Sequence, residues 1–339
     1  MELDHRTGRS LYSVVLQALI RPFKPHLVAP KRTFPAGSPR LEHDKKVRGG
    51  VRVAERQQED IWLYDMVAAH EKNGDGDGDD DNKNKKAAAK RRRMYYIAGG
   101  GWQSPPSGQH WKFCAEVARR VPGLVVTIVS APLAPESPAA TALPALRRLF
   151  ASVLGQGSGR DDGGEQVILA GDSSGANIVL SLALDALSKS KGEENGAGTR
   201  QPLTLLVISP AVDLRPMEAA AGQAQALARR DPVLTVGSHN SEAAAWAQEM
   251  DRTDVCISPA VAEVRVLAAA GVRLVGVTGG HDILTPAALG FRDECAGRGV
   301  SGAWLHWEGQ MHCFPLAFMY GLPEAVRAKD WVVEHIRGL

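Results

Sequence analysis

The sequence predicts an α/β protein built on a mostly parallel sheet, and three observations carry that expectation. Short apolar runs alternate with stretches of helical periodicity through most of the chain, the pattern of βαβ units. One of these runs, Gln166–Ala170, passes through a glycine-punctuated turn into the helical stretch Ala176–Leu187. The composition is that of an ordinary globular protein: of 339 residues, 44% are apolar and 23% charged, which excludes a disordered, collagenous or coiled-coil chain. Length alone gives about two domains, but α/β folds of this size often form one.

Taken in chain order, residues 11–28 alternate apolar and basic character and contain Pro22 and Pro25. They are expected to form a short amphipathic helix that stops at the prolines, either packed on the body or capping a site and touching lipid. Strand-like runs follow at Val47–Val53 and Ile61–Val67. Residues 72–93 break the pattern, with five aspartates within 75–81 and seven Lys/Arg from Lys83 to Arg93. This segment is expected to be a solvated, disordered loop between strands. Asn73, Asp75, Asp77, Gly78, Asp79 and Asp81 fall at calcium-loop spacing, but the twelfth position is Asn84 instead of glutamate and the eighth is Asp80, so an acidic loop is the reading kept. The basic half runs directly into a strand, which favours a charged hairpin loop over a nucleic-acid patch.

Beyond it the alternation is regular. Apolar runs at Met94–Ile97, Leu124–Ser130, Gln166–Ala170, Leu203–Ser209, Arg273–Thr278 and Ser301–Trp307 are expected strands. Gly108–Val121, Pro138–Leu154 and Ala176–Leu187 are expected helices. The Ala-rich, polar stretch 211–270 interrupts the series and is expected to lay helices over the sheet edge as part of a cap. No internal repeat is present.

Charge and cysteine usage narrow the classes of function. Forty basic against 38 acidic residues leave a formal charge of +2, which argues against nucleic acid as a bulk electrostatic partner. Cys114, Cys256, Cys295 and Cys313 are far apart and form no CxxC, so neither a zinc site nor a redox pair is indicated. Dispersed cysteines fit burial as small hydrophobes in a reducing, cytoplasmic setting. No apolar stretch approaches the roughly 18 residues of a membrane span. Glu2, Asp4 and the lack of a small-residue cleavage site argue against a signal peptide at Leu11–Ile20. Oligomeric state is left open.

The chemistry centres on Gly171-Asp172-Ser173-Ser174-Gly175, a G-x-S-x-G pattern between an expected strand and an expected helix. A serine on so tight a turn has its hydroxyl pushed into the open at a helix N-terminus, and side chains two residues to either side would clash. The amide of Ser174 then points at a developing oxyanion. A serine nucleophile needs a base, and the base an orienting acid. The run Arg273–Thr278 ends in Gly279-Gly280-His281-Asp282, and Ser301–Trp307 ends in Glu308-Gly309-Gln310-Met311-His312. Asp282 and His312 therefore sit at the carboxyl ends of strands, on the same rim as Ser173. His281 precedes the acid in the wrong loop to be the base, and Asp172 is expected as a structural partner. Gly99-Gly100-Gly101-Trp102 follows Met94–Ile97. Its glycines let backbone amides approach a substrate, and Gly100 and Gly101 are the expected second and third oxyanion donors. Trp102 and Phe314 lie near these loops and are expected to wall an apolar pocket, whereas Trp111, on a helix, is expected in the core.

Together these blocks resemble the hormone-sensitive-lipase-like family of α/β-hydrolases. Ala131-Pro132-Leu133-Ala134-Pro135-Glu136 and Ile208-Ser209-Pro210-Ala211-Val212-Asp213-Leu214 extend the likeness. It covers about residues 45–339 apart from the charged segment. The resemblance implies an eight-stranded, mostly parallel sheet flanked by helices. It also implies a cap from the N-terminal helices (1–44) and the 211–270 insertion, over a catalytic domain 45–339. It implies hydrolysis of small-molecule carboxylic esters by Ser173, His312 and Asp282, without metal or organic cofactor. Departures are specific. Ala98 replaces the histidine of the family's His-Gly-Gly-Gly, which puts the rigidity of the loop in question, and Ala131 replaces an arginine. Ala176 stands where glycine is common. Retention of His312 favours an enzyme over the non-hydrolytic receptors that share the fold. Amide and lactone hydrolysis use the same triad and stay open.

Overall fold

The structure is a computed structural model that describes residues 1–27, 32–42, 47, 50–69, 92–155, 166–189, 203–218 and 222–339. The strands are β1 (Glu2–Arg6), β2 (Val51–Gln58), β3 (Ile61–Ala68), β4 (Arg92–Ile97), β5 (Leu124–Val129), β6 (Gln166–Asp172), β7 (Leu203–Ile208), β8 (Arg273–His281) and β9 (Ser301–Met311). They form one sheet in the order β1-β9-β8-β7-β6-β4-β5-β3-β2. All neighbours are parallel except β2–β3 and β3–β5.

The sheet has nine strands where eight were expected. The additional one is β1, in the segment expected to hold only cap helices, and it pairs in parallel with β9, Glu2 opposite Ala303 through Arg6 opposite Trp307. Its sequence, Glu-Leu-Asp-His-Arg, is polar because an edge strand is wet on one side. The first expected run shifts from Val47–Val53 to Val51–Gln58. The charged segment 72–93, with its calcium-like spacing at 73–84, lies outside the described residues save Arg92 and Arg93, which open β4.

Inner strands bury both faces, and this is why they are apolar throughout. In β4, Tyr95 and Ile97 face one core while Met94 and Tyr96 face the other. Val167 and Leu169 against Ile168 and Ala170 repeat the alternation in β6, as the two-residue period of a strand requires. The first core is closed by α4 (Ala139–Gly155) and α5 (Ser173–Lys189), and the second by α3 (Gly108–Arg120) and α10 (Pro323–Arg337). Trp111 of α3 lies in the second core against the edge of Tyr64. Every residue from Ser174 to Leu184 is buried, which explains a helix apolar on all sides.

The N-terminal helix differs from its expectation. Helix α1 (Leu11–Ile20) does not end the helical run at the prolines. A 3₁₀ turn at Arg21–Phe23 and α2 (Lys24–Leu27) continue it, because each proline enters near the start of a new turn where no N–H is needed. Its buried residues are the polar Ser13 and Gln17, while Leu11 and Leu19 are 78% and 64% exposed. The inward side chains are matched by polar groups. Ser13 Oγ donates to Gln310 Oε1, and Gln17 Nε2 donates to the Gly309 carbonyl.

Within 211–270 the described residues form α6 (Gly222–Arg230), α7 (Val236–Ala247), a 3₁₀ turn at Pro259–Val261 and α8 (Arg265–Ala269). Helix α9 (Thr285–Gly297) follows β8. Among the described residues no helix is long and apolar enough to cross a membrane.

Candidate active site

Strand β6 lies between β4 and β7, while the chain leaving β4 turns the other way to β5. Loops on either side of such a switch point diverge and leave a crevice at the carboxyl ends of the strands. The segment Gly99–Gly101 follows β4, Ser173 follows β6, Asp282 follows β8 and His312 follows β9. All four segments open on that rim.

Ser173 begins α5 with φ +50°, in the left-handed region, a strained conformation for a residue with a side chain. The flanking glycines are required by packing. A Cβ on Gly175 would meet the Ile97 carbonyl oxygen at 2.0 Å, and one on Gly171 would meet Gly175 C at 2.6 Å. The hydroxyl sits at the positive end of the α5 dipole, and Asn177, one turn on, donates to the carbonyls of Ala211 and Ile257 to fix the helix start.

Strands β8 and β9 approach closely at their ends. A Cβ on Gly279 would lie 2.4 Å from the Gln310 carbonyl oxygen. This contact brings the Asp282 and His312 loops together, and His312 Nδ1 donates to Asp282 Oδ2 at 2.8 Å. Asp282 Oδ1 accepts from the Leu284 amide. Burial opposes a charged His312, but the Asp282 carboxylate overrides it and raises the imidazole well above its ordinary value. His312 Nε2 lies 3.4 Å from Cys313 Sγ. Burial pushes that thiol up to about 12, so it stays protonated.

Asp172 organises the other side. It is fully buried and accepts from Tyr96 Oη at 2.7 Å, the Gly99 amide at 3.0 Å and His110 Nε2 at 3.2 Å. Nδ1 of His110 accepts from the Ser107 amide, which leaves the proton on Nε2 for Asp172. Burial pushes the Asp172 carboxyl up, and His110, Tyr96 and Gly99 outweigh it to hold the group below the usual carboxylate range. The glycine loop is thereby held although Ala98 replaces a histidine. Gly99 spends its amide on Asp172, while the amides of Gly100, Gly101 and Ser174 bond to no group among the described residues. Positive φ at Gly100 (+140°) and Gly101 (+61°) accounts for glycine there.

Ser173, His312, Asp172 and Gly99–Gly101 line one cavity of about 940 Å³, within the range that takes a small organic ligand. Leu16, Ile20 and Leu27 wall it from the N-terminal helices, and Val233, Leu234 and Glu242 from the 211–270 segment. The aromatic expectation needs correction. Trp102 is 4% exposed and stacks on Trp246 with ring centres 6.1 Å apart, and Phe314 is fully buried edge-on to Trp307. Both are core residues, since positions next to the loops are where cap and sheet pack. Phe34 and Tyr320 supply the cavity's aromatic lining. His281 lies apart from the chemistry, its Nδ1 against Arg9 and Gln17, and burial lowers it to about 4.

Four residues of the site were not legible in the sequence. Asp231 is fully buried and accepts from the amides of Val233, Leu234 and Ile283. Burial and the neighbouring Asp282 push it up to about 6. Glu242 enters from α7, His110 from α3 and Cys313 from beside His312. The Asp231-Pro232 pair and the Ser107-x-x-His110 spacing, a capping box, are the only local signals for any of them.

A buried His–carboxylate pair and a strained serine on one rim of a doubly wound sheet form an arrangement that can support nucleophilic acyl chemistry. The sequence profile of the alpha/beta hydrolase fold family matches residues 94–316. The chain belongs to that family, in agreement with its resemblance to the hormone-sensitive-lipase-like group. No curated protein matches the sequence. Among solved structures, the chain is similar to a putative esterase from Staphylococcus aureus at 19% identity and a TM-score of 0.69, covering 88% of this chain and 87% of the other. It is similar to an esterase from the bacterial hormone-sensitive lipase family at 19% identity and 0.69, covering 98% and 99%. Carboxyl esterase 2 from the mycorrhizal fungus Tuber melanosporum matches at 16% identity and 0.71, again covering 98% and 99%. At these identities the likeness is one of fold.

Proposed function

We propose that the protein is a serine hydrolase of carboxylic esters with short- to medium-chain acyl or acetyl groups. Ser173 attacks the ester carbonyl. His312 takes its proton through Nε2 and returns it to the leaving alcohol, and Asp282 holds the imidazole and balances its charge. The tetrahedral oxyanion forms against the amides of Gly100, Gly101 and Ser174, and water then releases the acyl group. The N-terminal helices and the 211–270 segment act as a cap that shields this step from bulk water. The observation that carries this reading is the strained Ser173 in one cavity with the buried His312–Asp282 pair. Support also comes from esterase structures of the same fold. Resting His312 Nε2 faces Cys313, so on this mechanism the Ser173–His312 hydrogen bond forms when substrate enters.

The test is hydrolysis of p-nitrophenyl acetate, butyrate, octanoate and palmitate by wild type and Ser173→Ala. Turnover by wild type with preference for the short chains, reduced on the order of 10⁴–10⁶-fold in Ser173→Ala, is expected. Equal turnover by both proteins would end the proposal. Absence of turnover in both would favour a non-hydrolytic receptor or a narrow amidase or lactonase.

A further inference from the structure

The proposed mechanism leaves one acidic group of the cavity unused, and a role for that group in substrate choice rests on the esterase reading. Glu242 of α7 is 9% exposed and lines the same cavity as Ser173 and His312. Its carboxyl has no hydrogen-bond or ion-pair partner among the described residues. A Cβ on Gly101 would come within 2.5 Å of its Cδ and Oε2, so the carboxyl rests on the backbone of the oxyanion loop. Ser173 touches the same loop two residues earlier, its Cβ being 2.9 Å from the place of a Cβ on Gly99. Two residues span at most about 7 Å of backbone. Nucleophile and carboxyl therefore lie along one loop of the same cavity.

A buried carboxyl without a partner is unfavourable. Burial pushes Glu242 up to about 7, and the neighbouring His312 opposes that rise. The arginine of the cavity wall, Arg32, stacks over Phe34, 4.5 Å from its ring centre. Elsewhere in the cavity, α1 and the 211–270 segment contribute the aliphatic Leu16, Ile20, Val233 and Leu234. Of the cations that line the cavity, His312 is paired through Nδ1 with Asp282 and Arg32 stacks on Phe34, so neither is hydrogen-bonded to Glu242. A hydroxyl would satisfy a lone pair and leave the charge uncompensated, whereas an ammonium does both.

We propose that Glu242 is a substrate-binding residue and that it selects esters carrying an ammonium group near the scissile carbonyl. The probes are β-alanine ethyl ester and its isosteres ethyl butyrate and ethyl 3-hydroxypropanoate, with wild type and Glu242→Gln. Wild type is expected to show kcat/KM at least about tenfold higher for the ammonium ester than for ethyl butyrate, about one charge-assisted hydrogen bond's worth of selectivity. The ratio should fall to about one in Glu242→Gln. The same ratio in both proteins, or a wild-type preference for the hydroxyl ester over the ammonium ester, overturns the proposal. Calorimetric binding of the same esters to Ser173→Ala, with and without Glu242→Gln, reads the preference without turnover. Preferential binding of the ammonium ester by a protein that hydrolyses none of the three would refute the esterase reading and leave this one standing. Hydrolysis of ethyl butyrate with no ammonium preference would do the reverse.

Discussion

At the residue scale, the proposed mechanism makes activity and stability run in opposite directions with pH through the Asp282–His312 pair. The folded protein holds the His312 imidazole well above its ordinary value of about 6.5. Stability from the charged pair is therefore fully present below about pH 6.5 and is lost as pH rises through the raised value. A general base must be neutral, so kcat/KM is expected to climb over that same alkaline range. Asp282→Asn removes the largest influence that raises His312 and leaves burial opposed by Cys313. The activity limb should then move to lower pH while kcat drops about 10⁴-fold. Asp231, Cys313, Glu242 and His239 also face this region. Of these, Glu242, held near 7, titrates in the same window. A pH–rate profile of Glu242→Gln therefore serves as the control, and a limb that stays in place in Asp282→Asn would refute this account of His312.

At the element scale, glycines of the same chain have opposite uses. Gly175→Ala would drive a Cβ to 2.0 Å from a backbone oxygen of β4. Neither strand nor helix can give way, and the loss should be about 3 kcal/mol in urea unfolding, with activity falling as Ser173 moves. Gly290, exposed within α9, has open space where its Cβ would be. Gly290→Ala should stabilise by roughly 0.5–1 kcal/mol and leave turnover alone. The same contrast explains what was legible in the sequence. Strands β4 to β9 are buried on both faces, so they stand out as apolar runs, and Ser173, Asp282 and His312 stand at their ends, where glycines mark sharp exits. Strand β1 was invisible because none of its residues is buried. Glu242 and Asp231 were invisible because their roles come from helices and turns of an irregular insertion folded back over the rim, a juxtaposition no local period encodes. Trp102 and Phe314 were misread because an aromatic residue next to a site packs beneath it as readily as beside it.

At the scale of the whole molecule, the N-terminus is tied to the loop that carries His312. Strand β1 covers the edge of β9. Trp307 Nε1 donates to the Gly8 carbonyl, and Ser10 bonds to Glu324 through its amide and hydroxyl. Gln17 reaches His281 and the Gly309 carbonyl, and Ser13 reaches Gln310; Gly309 and Gln310 stand three and two residues before His312. Leu16 and Ile20 of the same helix close the cavity wall. Removing residues 1–27 should therefore expose a strand edge, open the cavity and loosen the base at once. A lower thermal midpoint, growth of light scattering on standing and kcat/KM reduced at least about 100-fold are expected. Gln17→Ala separates these effects, because it keeps the strand and the apolar wall. It leaves the Gly309 carbonyl and the His281 ring without a partner from α1, a loss of about 1–3 kcal/mol in urea unfolding. If the helix positions the base, kcat of Gln17→Ala falls while KM changes little. If the helix serves only as a wall, the variant loses stability and keeps its kcat.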